Sequence, residues 1–114
     1  MAENKIEKLT REYQAAQERQ QALALQKAQL QQQKNELEEA KKRIEASEGK
    51  IFYQVGGAIV ETKKEEALSN IAEKTESVEM RLSIVSKQYN EASAAEQKIR
   101  EELRSLMQPK SGVE

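Results

Sequence analysis

The sequence predicts a mainly α chain: a long antiparallel two-helix coiled coil joined by a β-hairpin that contributes to an intersubunit β-barrel. Three observations carry this expectation. Two heptad patterns of similar length flank Gly56. The stretch between them, IFYQVGGAIVET at 51–62, is β-branched and aromatic around a central Gly-Gly. At 34% charged and 4% aromatic residues, the chain has too little apolar material for a thick core but enough for a narrow helical seam. Disorder also suits a charged, Gln-rich chain, but it would not maintain apolar columns over successive heptads. At 114 residues, one domain is expected, with a helix at about 5–48, the hairpin at about 51–62, a helix at about 63–108 and a mobile tail at 109–114.

In the first arm one column is Leu9, Ala16, Leu23, Leu30, Leu37 and Ile44, and its companion is Ile6, Tyr13, Gln20, Lys27, Lys34 and Lys41. Asn4 with Glu7 offers a capping box at the start, and Gly49 offers a left-handed stop. The many glutamines between Gln14 and Gln33 favour helix and interrupt only the companion column, so they describe a solvated face.

The hairpin follows. A Gly-Gly pair supplies the positive φ that a two-residue turn needs. Pairing across Gly56 and Gly57 sets Val55 against Ala58 and Tyr53 against Val60 on one face, with Gln54–Ile59 and Phe52–Glu61 on the other. Thr62 and Glu65 then form a second capping box. The second helix carries Ile71, Val78, Val85, Ala92, Ile99 and Leu106 in one column and Leu68, Thr75, Leu82, Tyr89, Glu96 and Leu103 in the other, and Pro109 marks its stop.

The two patterns mirror each other. Folding at the hairpin sets Ile44 opposite Leu68, Leu30 opposite Leu82, Leu9 opposite Leu103 and Ile6 opposite Leu106. The strands of the coil are therefore the two halves of one chain, each arm on the order of 65 Å long. Lys27, Lys34 and Lys41 fall on the seam opposite Val85, Val78 and Ile71, where a lysine stem can lie along apolar surface with its ammonium in water. Such positions control register at some cost in burial.

A lone two-stranded hairpin is marginal in water and leaves both edges open. Ile51, Tyr53, Val55 and Val60 make one apolar face, and Phe52 and Ile59 place apolar groups on the other. The base of one coiled coil is too narrow to cover both. The hairpin (Ile51, Phe52, Tyr53, Val55, Gly56, Gly57, Ile59, Val60) is therefore expected to recruit hairpins of other subunits.

Composition also excludes. Net charge of −1 gives no field that favours nucleic acid or an anionic membrane. There is no Cys and no His, hence no thiolate site, disulfide or metal-ligating imidazole. No stretch is long and apolar enough to span a bilayer, and the start MAENKIEKL lacks the apolar core of a secretory signal, so a cytoplasmic location is expected. Paired carboxylates such as Glu38–Glu39 and Glu65–Glu66 lack calcium-loop spacing and read as solvated faces. No catalytic residue, cofactor or metal is expected.

The run FYQVGGAIVET (52–62) followed by KKEEALSNIAEKTESVEMRLSIVSKQ (63–88) resembles a β-class prefoldin subunit. An aromatic before a V-G-x-x-x-V turn, and the E-x-R-L run Glu79–Leu82, carry the resemblance most. GGAIVE resembles the eukaryotic second subunit, TESVEMRLSIVSKQ the archaeal β subunits, and the balance is archaeal. Gly57 departs from the polar residue many archaeal members place there. The resemblance implies a hexamer of two α-class and four β-class subunits on a double β-barrel. It implies an ATP-independent chaperone that captures unfolded proteins at the coiled-coil tips and delivers them to a group II chaperonin. On this chain the client-binding tip would be Ile6, Leu9, Leu103, Leu106 and Met107, some of them also closing the seam. The alternative is a non-chaperone coiled-coil scaffold or adaptor. An RNA-binding arm would need a basic stripe with stacking groups, whereas Tyr13, Tyr53 and Tyr89 fall on seam or hairpin positions.

Overall fold

The computed structural model describes residues 2–108, with side chains from residue 4 onward. The order is α1 (Ala2–Ala46), β1 (Ile51–Val55), β2 (Ala58–Thr62) and α2 (Lys64–Met107). Two long helices joined by a two-stranded antiparallel hairpin are what the heptads and the Gly-Gly turn predict. The tail 109–114 and the stop at Pro109 lie outside the described residues. The described residues divide into two compact units: a hairpin unit of residues 27–84, and a terminal unit formed by the described residues up to 26 and from 85 onward.

In the hairpin unit the strands pair antiparallel with Tyr53 opposite Val60, Gln54 opposite Ile59 and Val55 opposite Ala58, the register expected from the sequence. Of the two turn glycines only Gly56 has positive φ, at 58°. The turn therefore needs glycine only at its first central position, which is the type II′ pattern, and Gly57 could carry a side chain.

The helix ends in this unit differ from the sequence expectation. Gly49 is not left-handed. Instead Ser47 N–H donates to the Ile44 carbonyl at 3.2 Å, and the Ser47 hydroxyl accepts from Gly49 N–H at 3.3 Å. The Lys64 ammonium donates to the carbonyls of Glu45, at 2.9 Å, and Ser47, at 3.2 Å. It answers the orphan carbonyls and the negative end of the helix dipole together. The Thr62–Glu65 capping box does not form. Thr62 pairs with Ile51 in the sheet, so α2 begins later, with Lys63 C=O accepting from Ala67 N–H at 2.9 Å. The Thr62 hydroxyl donates to the Glu66 carboxylate at 3.2 Å.

Along the hairpin unit, Leu30 and Val78 are buried and Leu37, Ile44, Leu68, Ile71, Thr75 and Leu82 are half-buried. Lys34 sits half-buried on the seam, 3.4 Å from the Glu79 carboxylate, one position beyond the expected opposite residue. Lys41 departs from the expected companion column. It is exposed, and Ala40 takes the inward place. Ala40 lines a cleft with Ile44, Ile51 and Ile71, so its methyl adds to apolar contact that the Lys41 side chain leaves for water.

In the terminal unit every expected seam position turns inward. Leu9, Leu23, Val85, Ala92 and Glu96 are buried; Ile6, Tyr13, Ala16, Gln20, Tyr89, Ile99, Leu103 and Leu106 are half-buried. Gln20 donates across the helices to the Ser93 hydroxyl at 2.8 Å. α1 starts at Ala2, so Asn4 lies inside the first turn and does not cap it. Apart from Gln20 the glutamines of α1 are exposed, several bonded one turn along the helix, as Gln31 is to Asn35 at 3.1 Å.

Candidate interaction surfaces

The hairpin is the first surface. Alternation along two five-residue strands sends side chains to both faces, and neither face is covered. Phe52 is 54% exposed, Val55 54% and Ile59 74%. Tyr53 and Val60 are also exposed, and only Ile51 and Thr62, at the base, are half-buried. Ile51, Phe52, Tyr53 and Gln54 line one wall of a cleft of about 320 Å³, and Ile44, Ala67 and Ile71 are among the helical residues across it. Lys50 lies 3.9 Å from Glu61, a contact open to solvent. The hairpin thus presents apolar groups and unpaired main-chain edges, a combination that favours strand pairing with another chain.

The second surface lies at the paired helix ends of the terminal unit. The structure does not treat the five predicted tip residues alike. Leu9 is buried; Ile6, Leu103 and Leu106 are half-buried; Met107 is 68% exposed. Leu9 therefore packs on the seam, and Met107 is the most exposed of the five. α2 ends there, its last turn closed by Gln108 N–H donating to the Arg104 carbonyl at 3.0 Å.

Sequence reasoning did not single out three further exposed apolar residues. They are Leu25 on α1 and Met80 and Ile84, one turn apart, on α2. Their signal was an apolar residue off both heptad columns. Lys64 was also missed, because nothing local distinguishes a lysine that caps a neighbouring helix. Among the described residues no group of three or more Asp, Glu, His or Cys side chains is placed to hold a metal ion. Among the same residues no helix is long and apolar enough to cross a membrane.

Comparison with known proteins agrees with this architecture. The family model for prefoldin subunits matches residues 7–110. The chain belongs to the prefoldin subunit family. It is 27% identical over 100 residues to prefoldin subunit beta of Methanosarcina acetivorans, covering 86% of each chain. Its fold is similar to the crystal structure of the prefoldin beta subunit from Thermococcus strain KS-1, with a TM-score of 0.86, 23% identity and coverage of 92% of this chain and 94% of that one. Membership implies a chaperone-type function and assembly with other prefoldin subunits. Among the described residues of this prefoldin subunit the exposed large apolar side chains are those of the hairpin, Met107 at the end of α2, and Leu25, Met80 and Ile84 along the helices.

Proposed function

We propose that this chain is the β-class subunit of an ATP-independent chaperone that captures unfolded proteins at its helix tips and passes them to a group II chaperonin. The hairpin builds the assembly, joining α-class subunits and further β-class copies, two α with four β, through a shared β-barrel. Prefoldin membership gives the class. The observation that carries the assembly role is the exposure of apolar residues on both faces of one small hairpin, with Phe52 and Ile59 on one face and Tyr53, Val55 and Val60 on the other. A hairpin that merely reversed the chain would be served by a few polar residues.

The tip residues Ile6, Leu9, Leu103, Leu106 and Met107 supply weak apolar contacts. Methionine is flexible and polarizable, which suits varied sequences. Several tips on one body multiply weak contacts through effective concentration, so a client is held and still released without nucleotide. The chaperone works without cofactor, metal, nucleic acid or membrane, in the cytoplasm.

The test is aggregation of an unfolding model protein followed by light scattering, with the chain alone and with an α-class partner. Suppression that disappears on trimming 1–9 together with 103–114, with assembly intact by native mass spectrometry, is the expected outcome. Full suppression by the trimmed assembly rejects tip capture and favours the scaffold or adaptor reading.

A further inference from the structure

The seam of the terminal unit changes character between two leucines. From Leu23 toward the chain ends, α1 supplies Gln20, Ala16 and Tyr13; from Tyr89 outward, α2 supplies Ala92, Glu96 and Ile99. At two successive levels, Gln20 with Ala92 and Ala16 with Glu96, neither helix contributes a large apolar side chain. The α2 side of both levels is nonetheless buried, Ala92 being 5% and Glu96 8% exposed, while Ala16 and Gln20 on α1 are half-buried. Gln20 spends its amide on Ser93 across the seam, at 2.8 Å.

Glu96 is less well served. Its Oε1 accepts no hydrogen bond, and the nearest cation, Arg100 Nε one turn along the same helix, is 3.7 Å away. A carboxylate oxygen held out of water with no hydrogen bond, and only a long ion pair to a half-exposed arginine, is poorly compensated, and opening the seam restores its hydration. Small side chains on the facing levels give little apolar contact to oppose that opening.

We propose that these two levels are a built-in break in the coiled coil, at which the helix ends separate as a unit while Leu23 and the levels behind it stay closed. Segments 4–20 and 92–107 open together, baring Leu9, Leu103 and Leu106, which the closed form keeps on the seam. The proposal rests on the capture reading above, because opened ends are what an unfolded apolar segment would enter.

Amide hydrogen exchange on the full chain in its assembled state tests it. Protection should fall in a step of about tenfold or more between the amides around Leu23 and Tyr89 and those beyond Gln20 and Ala92, with the outer amides exchanging as one group. Glu96→Leu with Gln20→Leu fills both levels and should remove the step, leaving exchange in 30–82 unchanged. Glu96→Gln, milder and close in volume, should raise protection of the outer amides in the same direction. A smooth gradient toward the ends in the parent chain, or outer amides unmoved in both variants, overturns the break.

A second arm separates the break from the capture reading. The chain has no native Cys, so Tyr13→Cys with Ile99→Cys can be oxidised to pin the ends while Glu96 and the leucines remain. Loss of client holding on oxidation and its return on reduction support the proposal. Full holding by the oxidised form shows that opening is not used for capture and rejects that part. If the parent chain shows the exchange step but holds no client, the capture reading fails and the break stands.

Discussion

The Lys64 Nζ donates to the main-chain oxygen of Glu45 at 2.9 Å, so the first residue of α2 closes the last turn of α1. A single side chain thereby ties both helices at the point where the hairpin departs. Lys64→Met should lower stability by about 1 kcal/mol, the worth of a partly solvated charged hydrogen bond. Lys64→Arg should retain part of it. Urea unfolding followed by circular dichroism measures both.

The two turn glycines should respond oppositely. Gly56→Ala forces an L side chain into the left-handed region and should cost about 1–2 kcal/mol. Gly57→Ala meets no neighbouring atom within 4 Å and no positive φ. It should be neutral or stabilising by about 0.5 kcal/mol, through a less flexible unfolded chain. Thermal unfolding midpoints distinguish them.

Lys34 and Lys41 should likewise separate. Lys34→Leu gives up a half-exposed ion pair with Glu79 and gains seam burial, a net stabilisation of about 1 kcal/mol. Lys41→Leu places the new side chain in water and should change stability by less than about 0.5 kcal/mol. Equal effects in thermal melts would contradict the inward place of Ala40.

Leu9 and Met107 differ in burial, and their truncations should differ accordingly. Leu9→Ala removes a side chain only 7% exposed and should cost about 2 kcal/mol. Met107→Ser should leave stability within about 0.5 kcal/mol and weaken suppression of aggregation. Denaturation curves and light scattering, taken on the same preparations, check the pair.

Charging the hairpin should act on assembly and not on the helices. Val55→Glu or Val60→Lys places a charge on an apolar face that the proposed barrel would cover, where burial is costly. Native mass spectrometry should show smaller species while helical circular dichroism is largely retained. Persistence of the parent assembly would contradict the role assigned to the hairpin.

Periodicity was readable wherever one stripe faces one partner. In the terminal unit, Ile6 to Leu23 and Val85 to Leu106 turn inward at the positions the heptads select. It failed at Lys41, because near the hairpin α1 also borders the cleft that Ile51 lines, and Ala40 answers that second neighbour. Local end signals failed for a related reason. Asn4, Gly49 and Thr62 each have the chemistry of a cap or stop, yet Thr62 is engaged by the sheet and the end of α1 is met by Lys64. At the helix ends the heptads placed Leu9, Leu103 and Leu106 on the seam, but exposure follows from packing, which separates Leu9 from Met107.

By itself the sequence determined the two helices, the hairpin register and the pairing of the chain with its own second half, because side-chain periods of seven and two leave few arrangements that bury the apolar positions. Tertiary structure alone decided how α1 is finished, which of Ala40 and Lys41 turns inward, and that Glu96 lies buried with an oxygen that accepts no hydrogen bond. These depend on groups distant in sequence competing for the same space and the same hydrogen bonds, and no local pattern encodes that competition.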